Sequence, residues 1–151
     1  MTAAPTVSGS CACTSITFRA TRPEGKSCIN CHCGLCRRLS GAAFTTWVSV
    51  ASAEFDVLSG ESSLAEYQAT ENVRRFFCTH CGTHVFSRDK RYPNIHGAPL
   101  GVVAEPHGFA PAGDYFSSDK AAWAHLSPGI PHFGGASGFG PLAARDQGSG
   151  C

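Results

Sequence analysis

Cys31-His32-Cys33-Gly34-Leu35-Cys36-Arg37-Arg38-Leu39-Ser40-Gly41-Ala42 sets three thiols within six residues, and the reading of the whole chain turns on this stretch. Spacings of one and two residues let neighbouring thiolates converge on one metal ion, each sulfur about 2.3 Å from it. Two more tight groups lie outward from it, Cys11 with Cys13 and Cys78 with Cys81, out of nine cysteines in all. A closed structural zinc site takes four ligands. The clustered thiols therefore fill one such site and leave a second with three ligands and an open position, the pattern of catalytic zinc.

Disulfides explain the pattern poorly. Cysteines one or two residues apart rarely bridge each other, and an odd total strands a thiol in an oxidising compartment. The opening residues, MTAAPTVSGS, lack the basic start and apolar stretch of a secretory signal, and nowhere do about 18 apolar residues run together. The expected setting is reducing and cytoplasmic, with no membrane partner.

The 151 residues suffice to bury a real core, so zinc need not do all the folding. The formal net charge of +1 becomes about −2 once both thiolate sites are filled with divalent ions. Such a protein is a poor general nucleic-acid binder, and a small-molecule substrate is expected instead. Basic residues crowd the cysteines: Arg37 and Arg38 follow Cys36, while Arg74 and Arg75 precede Cys78. They are candidates to offset thiolate charge or to hold an anionic ligand.

The sequence reads as mainly β. Strands are expected over residues 16–20, 27–30, 44–50, 64–70, 73–77 and 83–87, where β-branched and aromatic side chains concentrate. Arg22-Pro23-Glu24-Gly25 is a turn after which residues 27–30 are expected to return as the partner of 16–20. Helix is scarce: one turn over residues 35–39, and a segment over 119–126 with Ser118 as N-cap and Trp123 as buried anchor. We divide the chain into a flexible N-terminus (1–8), a zinc-binding domain (9–133) and a Gly/Ser-rich tail (134–151).

Spacing permits two pairings of the cysteines. Cys33 and Cys36 with Cys78 and Cys81 form a ribbon-like closed site, leaving Cys11, Cys13 and Cys31. Alternatively Cys11 and Cys13 join Cys78 and Cys81, and Cys31, Cys33 and Cys36 stay together on one loop. Cys28 stands at ligand distance from Cys31 and would close the second site if it ligated; its place in an expected strand favours a buried, inert thiol. Cys151 ends a flexible tail and carries no lipidation pattern.

Gly9-Ser10-Cys11-Ala12-Cys13, the Cys31–Ala42 stretch and Phe77-Cys78-Thr79-His80-Cys81-Gly82-Thr83-His84 together resemble the glutathione-dependent formaldehyde-activating enzyme family, which also includes centromere protein V. Tyr67, Trp123 and Ile130-Pro131 are similar to later family positions, so the resemblance spans roughly residues 9–133. It implies a β-tent, two antiparallel sheets joined at a structural zinc on Cys11, Cys13, Cys78 and Cys81. An active-site zinc would lie on Cys31, Cys33 and Cys36. It also implies a carbon-sulfur lyase handling the adduct of glutathione and formaldehyde, with glutathione as co-substrate. The sequence departs from the family pattern at Thr14, where glycine is usual, and over residues 97–105, which replace an acidic stretch.

A three-thiolate zinc can bind a substrate thiol and lower its pKa, or polarise an oxygen on the carbon attached to sulfur. A proton must then move. His84 and His96 are the candidate catalytic acids or bases, with His32 nearby in sequence, and Arg37, Arg38 and Tyr92 are the candidate substrate-binding residues. The alternative to an enzyme is a non-catalytic binding module in which both zincs are struts. Substrate identity and oligomeric state do not follow from the sequence.

Overall fold

The structure is a computed structural model and describes residues 4–142. It is mainly β, with two main sheets, one antiparallel and one mixed, and a single α-helix among the described residues. In chain order the elements are β1 (Thr6–Ser10), β2 (Thr17–Thr21), β3 (Cys28–Cys31), α1 (Gly34–Ser40), β4 (Thr45–Ala51), β5 (Phe55–Ser59), β6 (Leu64–Gln68) and β7 (Val73–Cys78). They continue with β8 (His84–Asp89), β9 (Ile95–Pro99), β10 (Pro111–Tyr115), β11 (Phe133–Gly134) and β12 (Gly140–Pro141). The residues fall into two compact units: the chain up to Lys26 with Val48–Gly108, and Ser27–Trp47 with the chain from Phe109.

In the first unit β2 lies between β1 and β5, antiparallel to both. Val7, Gly9, Phe18 and Ala20 are buried while their neighbours face outward, the period of two that a half-buried strand requires. The antiparallel run β9-β8-β7-β6 supplies the other face. Phe18 stacks on Phe55 at 5.1 Å, Phe55 meets Phe86 at 4.6 Å, and Phe86 stacks on Phe76 at 4.4 Å, so one aromatic file fills the interior.

In the second unit β3 is almost wholly buried and pairs on both edges. It runs antiparallel to Thr45–Trp47 of β4, and parallel to β10 through Asn30 opposite Asp114 and Cys31 opposite Tyr115. The expectation of purely antiparallel sheets is thereby corrected. A parallel pair cannot be closed by a tight turn and needs a long connection, which short-range sequence signals do not mark. Tyr115 stacks on Phe133 at 4.6 Å beneath the short β11–β12 ribbon.

Further expectations change. Residues 27–30 do not return on 16–20, because β2 is already paired on both edges by β1 and β5. The helix over 119–126 does not form. Ser118 Oγ, its expected cap, accepts instead from the Gly135 N–H at 2.9 Å, and Lys120 leaves the short turn Ser117–Asp119 in an extended conformation. Ala121 and Ala124 are the residues that turn inward there, whereas Trp123 is 71% exposed and anchors nothing. At the N-terminus β1 begins at Thr6, inside the span read as flexible, because Thr6 and Val7 pair with Thr21 and Ala20. The glycine-rich segment read as tail includes Gly134 and Gly140, which pair. Residues 143–151, with Cys151, lie outside the described residues.

Candidate metal centres

The first unit gathers Cys11, Cys13, Cys78 and Cys81, with all four sulfurs within 4.8 Å of one another. Cys11 and Cys13 sit on the loop after β1, closed by the Cys11 N–H donating to the Ile16 carbonyl at 3.1 Å. Cys78 ends β7, and Cys81 sits on the turn into β8. That turn is tied by Gly82 N–H to the Cys78 carbonyl at 2.8 Å, and it demands the left-handed conformation that Gly82 adopts, φ 73°. The Cys11 and Cys13 sulfurs are 3.5 Å apart and those of Cys13 and Cys78 3.8 Å. A tetrahedron of thiolates about 2.3 Å from zinc has edges of about 3.8 Å, so the donor set fits that ion.

Hydrogen bonds at two of these sulfurs, Cys81 and Cys11, favour the thiolate form. The Thr83 hydroxyl lies 3.1 Å from Cys81 Sγ and pulls its pKa down to about 5. At Cys11 burial opposes ionisation, but the Ile16 N–H and the Ser15 hydroxyl outweigh it and the pKa is lowered. Thr14, where the resembled pattern has glycine, holds φ at 61°, a conformation that a β-branched residue adopts only under strain. Thr14→Gly is expected to raise stability by about 1 kcal/mol with zinc content unchanged, read from paired urea unfolding curves. An unchanged or lower midpoint counts against strain at this position.

The second unit gathers Cys31, Cys33 and Cys36, again with sulfurs within 4.8 Å. Cys31 closes β3, Cys33 caps the N-terminus of α1 and Cys36 lies in its first turn. Cys36 N–H donates to Cys33 Sγ at 3.3 Å. Cys31 and Cys36 are buried and Cys33 is half-buried, so the trio meets solvent on the side of Cys33. Contact with Cys31 and Cys36 and the cap N–H groups drive the Cys33 pKa far down, while contact with Cys33 and Cys36 pushes Cys31 up, so Cys33 ionises before Cys31.

The loop that bears the trio is fixed by its own unit. Arg37 Nε donates to the His32 carbonyl at 3.2 Å, and its guanidinium also reaches the Asp119 carbonyl at 3.1 Å. The His32 ring is fully buried against Phe44, with Nε2 3.3 Å from Asp114 Oδ1. Asp114, itself fully buried, accepts from Asn30 Nδ2 at 2.9 Å, from Ser127 N–H at 2.6 Å and from Ser127 Oγ at 3.1 Å. Its burial penalty is overcome by these donors, led by Asn30, which keep its pKa below the usual carboxylate value. Nothing in the sequence around Asp114 marked it, because its partners lie far away along the chain. Asp114→Ala leaves the part-buried Ser127 N–H without its acceptor and the buried Asn30 amide with only the Ser127 hydroxyl, and is expected to cost about 3 kcal/mol, checked by chemical denaturation. A loss under about 1 kcal/mol would mean that the network is dispensable.

The remaining sequence candidates are placed as follows. Cys28 is buried in β3 and outside the gathered trio; three residues from Cys31, it points to the opposite face of the strand. Arg37 is committed to main-chain carbonyls, and Arg38 is exposed on α1. His84, His96 and Tyr92 belong to the first unit. His84 Nε2 donates to the Phe86 carbonyl at 3.0 Å, and burial together with the Arg75 charge lowers its pKa to about 4. His96 is buried against Phe55 and Phe86, with its pKa lowered by burial and then by Arg88. Tyr92 is exposed, with the Arg91 guanidinium 5.8 Å from its ring centre.

Residues 6–119 match the family model described as glutathione-dependent formaldehyde-activating enzyme. The chain belongs to that family. Both groups of gathered thiols fall within the matched span of this formaldehyde-activating-enzyme family member. A crystal structure of a Rhodobacter sphaeroides protein is similar in fold, with a TM-score of 0.56 and 21% identity over 69% of this chain and 91% of that one. No curated protein matches. The family name is that of an enzyme related to glutathione, and the two thiol clusters give this member the means to hold metal. No described helix is long and apolar enough to cross a membrane.

Proposed function

We propose that this protein is a zinc-dependent carbon-sulfur lyase-type enzyme acting on a small thiol adduct, glutathione-like or similar in size, in a reducing, cytoplasmic compartment. One observation carries the reading: four sulfurs are gathered in one group, enough to close a tetrahedral site, and three in another, one short of closure. In this reading Cys11, Cys13, Cys78 and Cys81 hold a structural zinc that joins the sheets of a β-tent, and Cys31, Cys33 and Cys36 hold the catalytic one. A zinc bound by the trio would supply a Lewis acid that acidifies a substrate thiol or polarises the adduct oxygen.

The residues of the chain do the rest. Cys33, capped by the Cys36 N–H, presents a ready thiolate, and Arg37 and the buried Asp114 hold the loop in one geometry. Cleavage of a hydroxymethyl thioether breaks the C–S bond, moves the hydroxyl proton to sulfur and releases thiol and aldehyde, with no oxidant or reductant needed. His84 and His96 are the candidate carriers of that proton. Both have lowered pKa values, so each is neutral near pH 7 and able to accept it. Arg38 and Tyr92, both exposed, are the candidate substrate contacts.

The direct test is cobalt substitution followed by titration with glutathione. Two metal equivalents are expected, one of which changes its visible spectrum as thiol is added while the other stays constant. Two metals equally indifferent to thiol would reject the open site and favour a metal-braced binding module.

A further inference from the structure

A second feature of the first unit is built for a ligand. Gln68, Arg74, Arg88 and His96 stand directly opposite one another on four successive strands, β6, β7, β8 and β9, and form one row across a single face of the sheet. Like charges directly opposite each other weaken a sheet, so the Arg74–Arg88 pair works against the fold. Glu66 and Gln68 offset Arg74, with contacts of 3.1 and 2.9 Å. The Arg88 guanidinium carbon lies 4.9 Å from the centre of Phe76 and 5.5 Å from that of Phe86.

This row lines a cavity of about 410 Å³, within the size range of small-molecule sites. Phe76 floors it, and Lys90 adds a third cation at the wall. The one acidic residue of the lining, Asp89, is already paired with Arg91 at 2.6 Å. The buried His96 ring also lines the cavity, and its Nδ1 has no hydrogen-bond partner among the described residues. Arg74 is matched by Glu66, which leaves Arg88 and Lys90 as the lining cations with no ion pair among the described residues; with the unsatisfied imidazole nitrogen and the aromatic floor they specify a planar ligand with a negative end.

We propose that this cavity is a binding site for a small aromatic carboxylate, with Arg88 and Arg74 taking the carboxylate and the Phe76 face taking the ring. Arg88 is the specificity residue: its guanidinium lies beside the Phe76 ring, 4.9 Å from its centre, and its planar N–H fork suits bidentate contact with a carboxylate. The proposal uses only residues of the first unit; His96, a candidate proton carrier above, is the one residue it shares with the lyase reading, and the binding test below does not depend on turnover.

The test uses the zinc-loaded protein and three probes, 2-naphthoate, inorganic phosphate and 2-naphthalenemethanol, followed by amide chemical shifts. Saturable binding of 2-naphthoate in the range of about 0.1–1 mM is expected, with shifts centred on Phe76, Arg88 and His96. Phosphate and the uncharged alcohol should bind at least about 10-fold more weakly. Arg88→Gln should weaken 2-naphthoate at least about 10-fold, yet leave the thermal midpoint unchanged or higher, because it relieves the opposed charges. Absence of saturable binding overturns the proposal, as does equal binding of phosphate, an unaffected Arg88→Gln variant, or shifts confined to other residues.

Discussion

Cys33→Ser removes catalytic turnover by at least about 100-fold while leaving the thermal midpoint within a few degrees of the parent. The size follows from the geometry. Changes to residues that merely orient a metal ligand already cost about 10- to 100-fold, and Cys33 is itself one of only three donors. Its pKa is also lowered, by Cys31 and Cys36 and by backbone N–H groups that include that of Cys36 at 3.3 Å. Serine keeps the cap, because its hydroxyl also accepts from that N–H, so α1 survives. The paired measurement is turnover of a hydroxymethyl thiol adduct with zinc content: one equivalent should disappear along with activity. Full activity in the variant would show that the trio is not the site of chemistry.

Loss of the four-sulfur site is expected to be far more damaging to the fold. Cys78 is fully buried at the end of β7, and Cys11 is 1% exposed across from it. Structural zinc binding is worth about 10–16 kcal/mol at neutral pH, which equals or exceeds the whole stability of an ordinary domain. Cys78→Ser should therefore release one zinc and drop the thermal midpoint by more than about 15 °C, or prevent accumulation of folded protein. Prolonged chelation of the parent should give two phases, an early loss of activity as the three-sulfur site empties and a later loss of near-ultraviolet dichroism. A Cys78→Ser variant that melts like the parent would mean that the strands hold themselves without the metal.

Much of the fold was legible because strand signals are local. β2, β3, β4, β6, β7 and β8 each lie within a residue or two of their expected spans, since β-branched and aromatic residues mark a pleated surface wherever it packs. β9 was not legible: Ile95-His96-Gly97-Ala98-Pro99 has little strand propensity and is held by its ladder to β8. β10, Pro111-Ala112-Gly113-Asp114-Tyr115, is a strand only because β3 lies beside it. The helix expected over 119–126 had every local signal and lost to tertiary bonds that took its cap and the Asp119 carbonyl.

The thiol groups divide in the same way. Cys31, Cys33 and Cys36 are close along the chain, so their spacing alone brings them together, and the N-cap position of Cys33 follows from the turn of helix after it. The row from Gln68 to His96 was invisible in sequence, because it needs four strands in one register.

By itself, then, the sequence determined that the thiols come in metal-ready groups, that the chain is mainly β, and that three donors share one loop; these properties depend on residues a few positions apart. The tertiary structure decided which pairs join. Cys13 meets Cys78 at 3.8 Å across 65 residues because β7 ends where the loop after β1 turns back, and no spacing rule encodes such a meeting. It likewise decided that Asp114 is the buried acceptor beneath His32, since parallel pairing of β10 with β3 sets Asp114 opposite Asn30. Contacts between distant segments depend on the summed packing of the whole unit, whereas local spacing is fixed by covalent geometry.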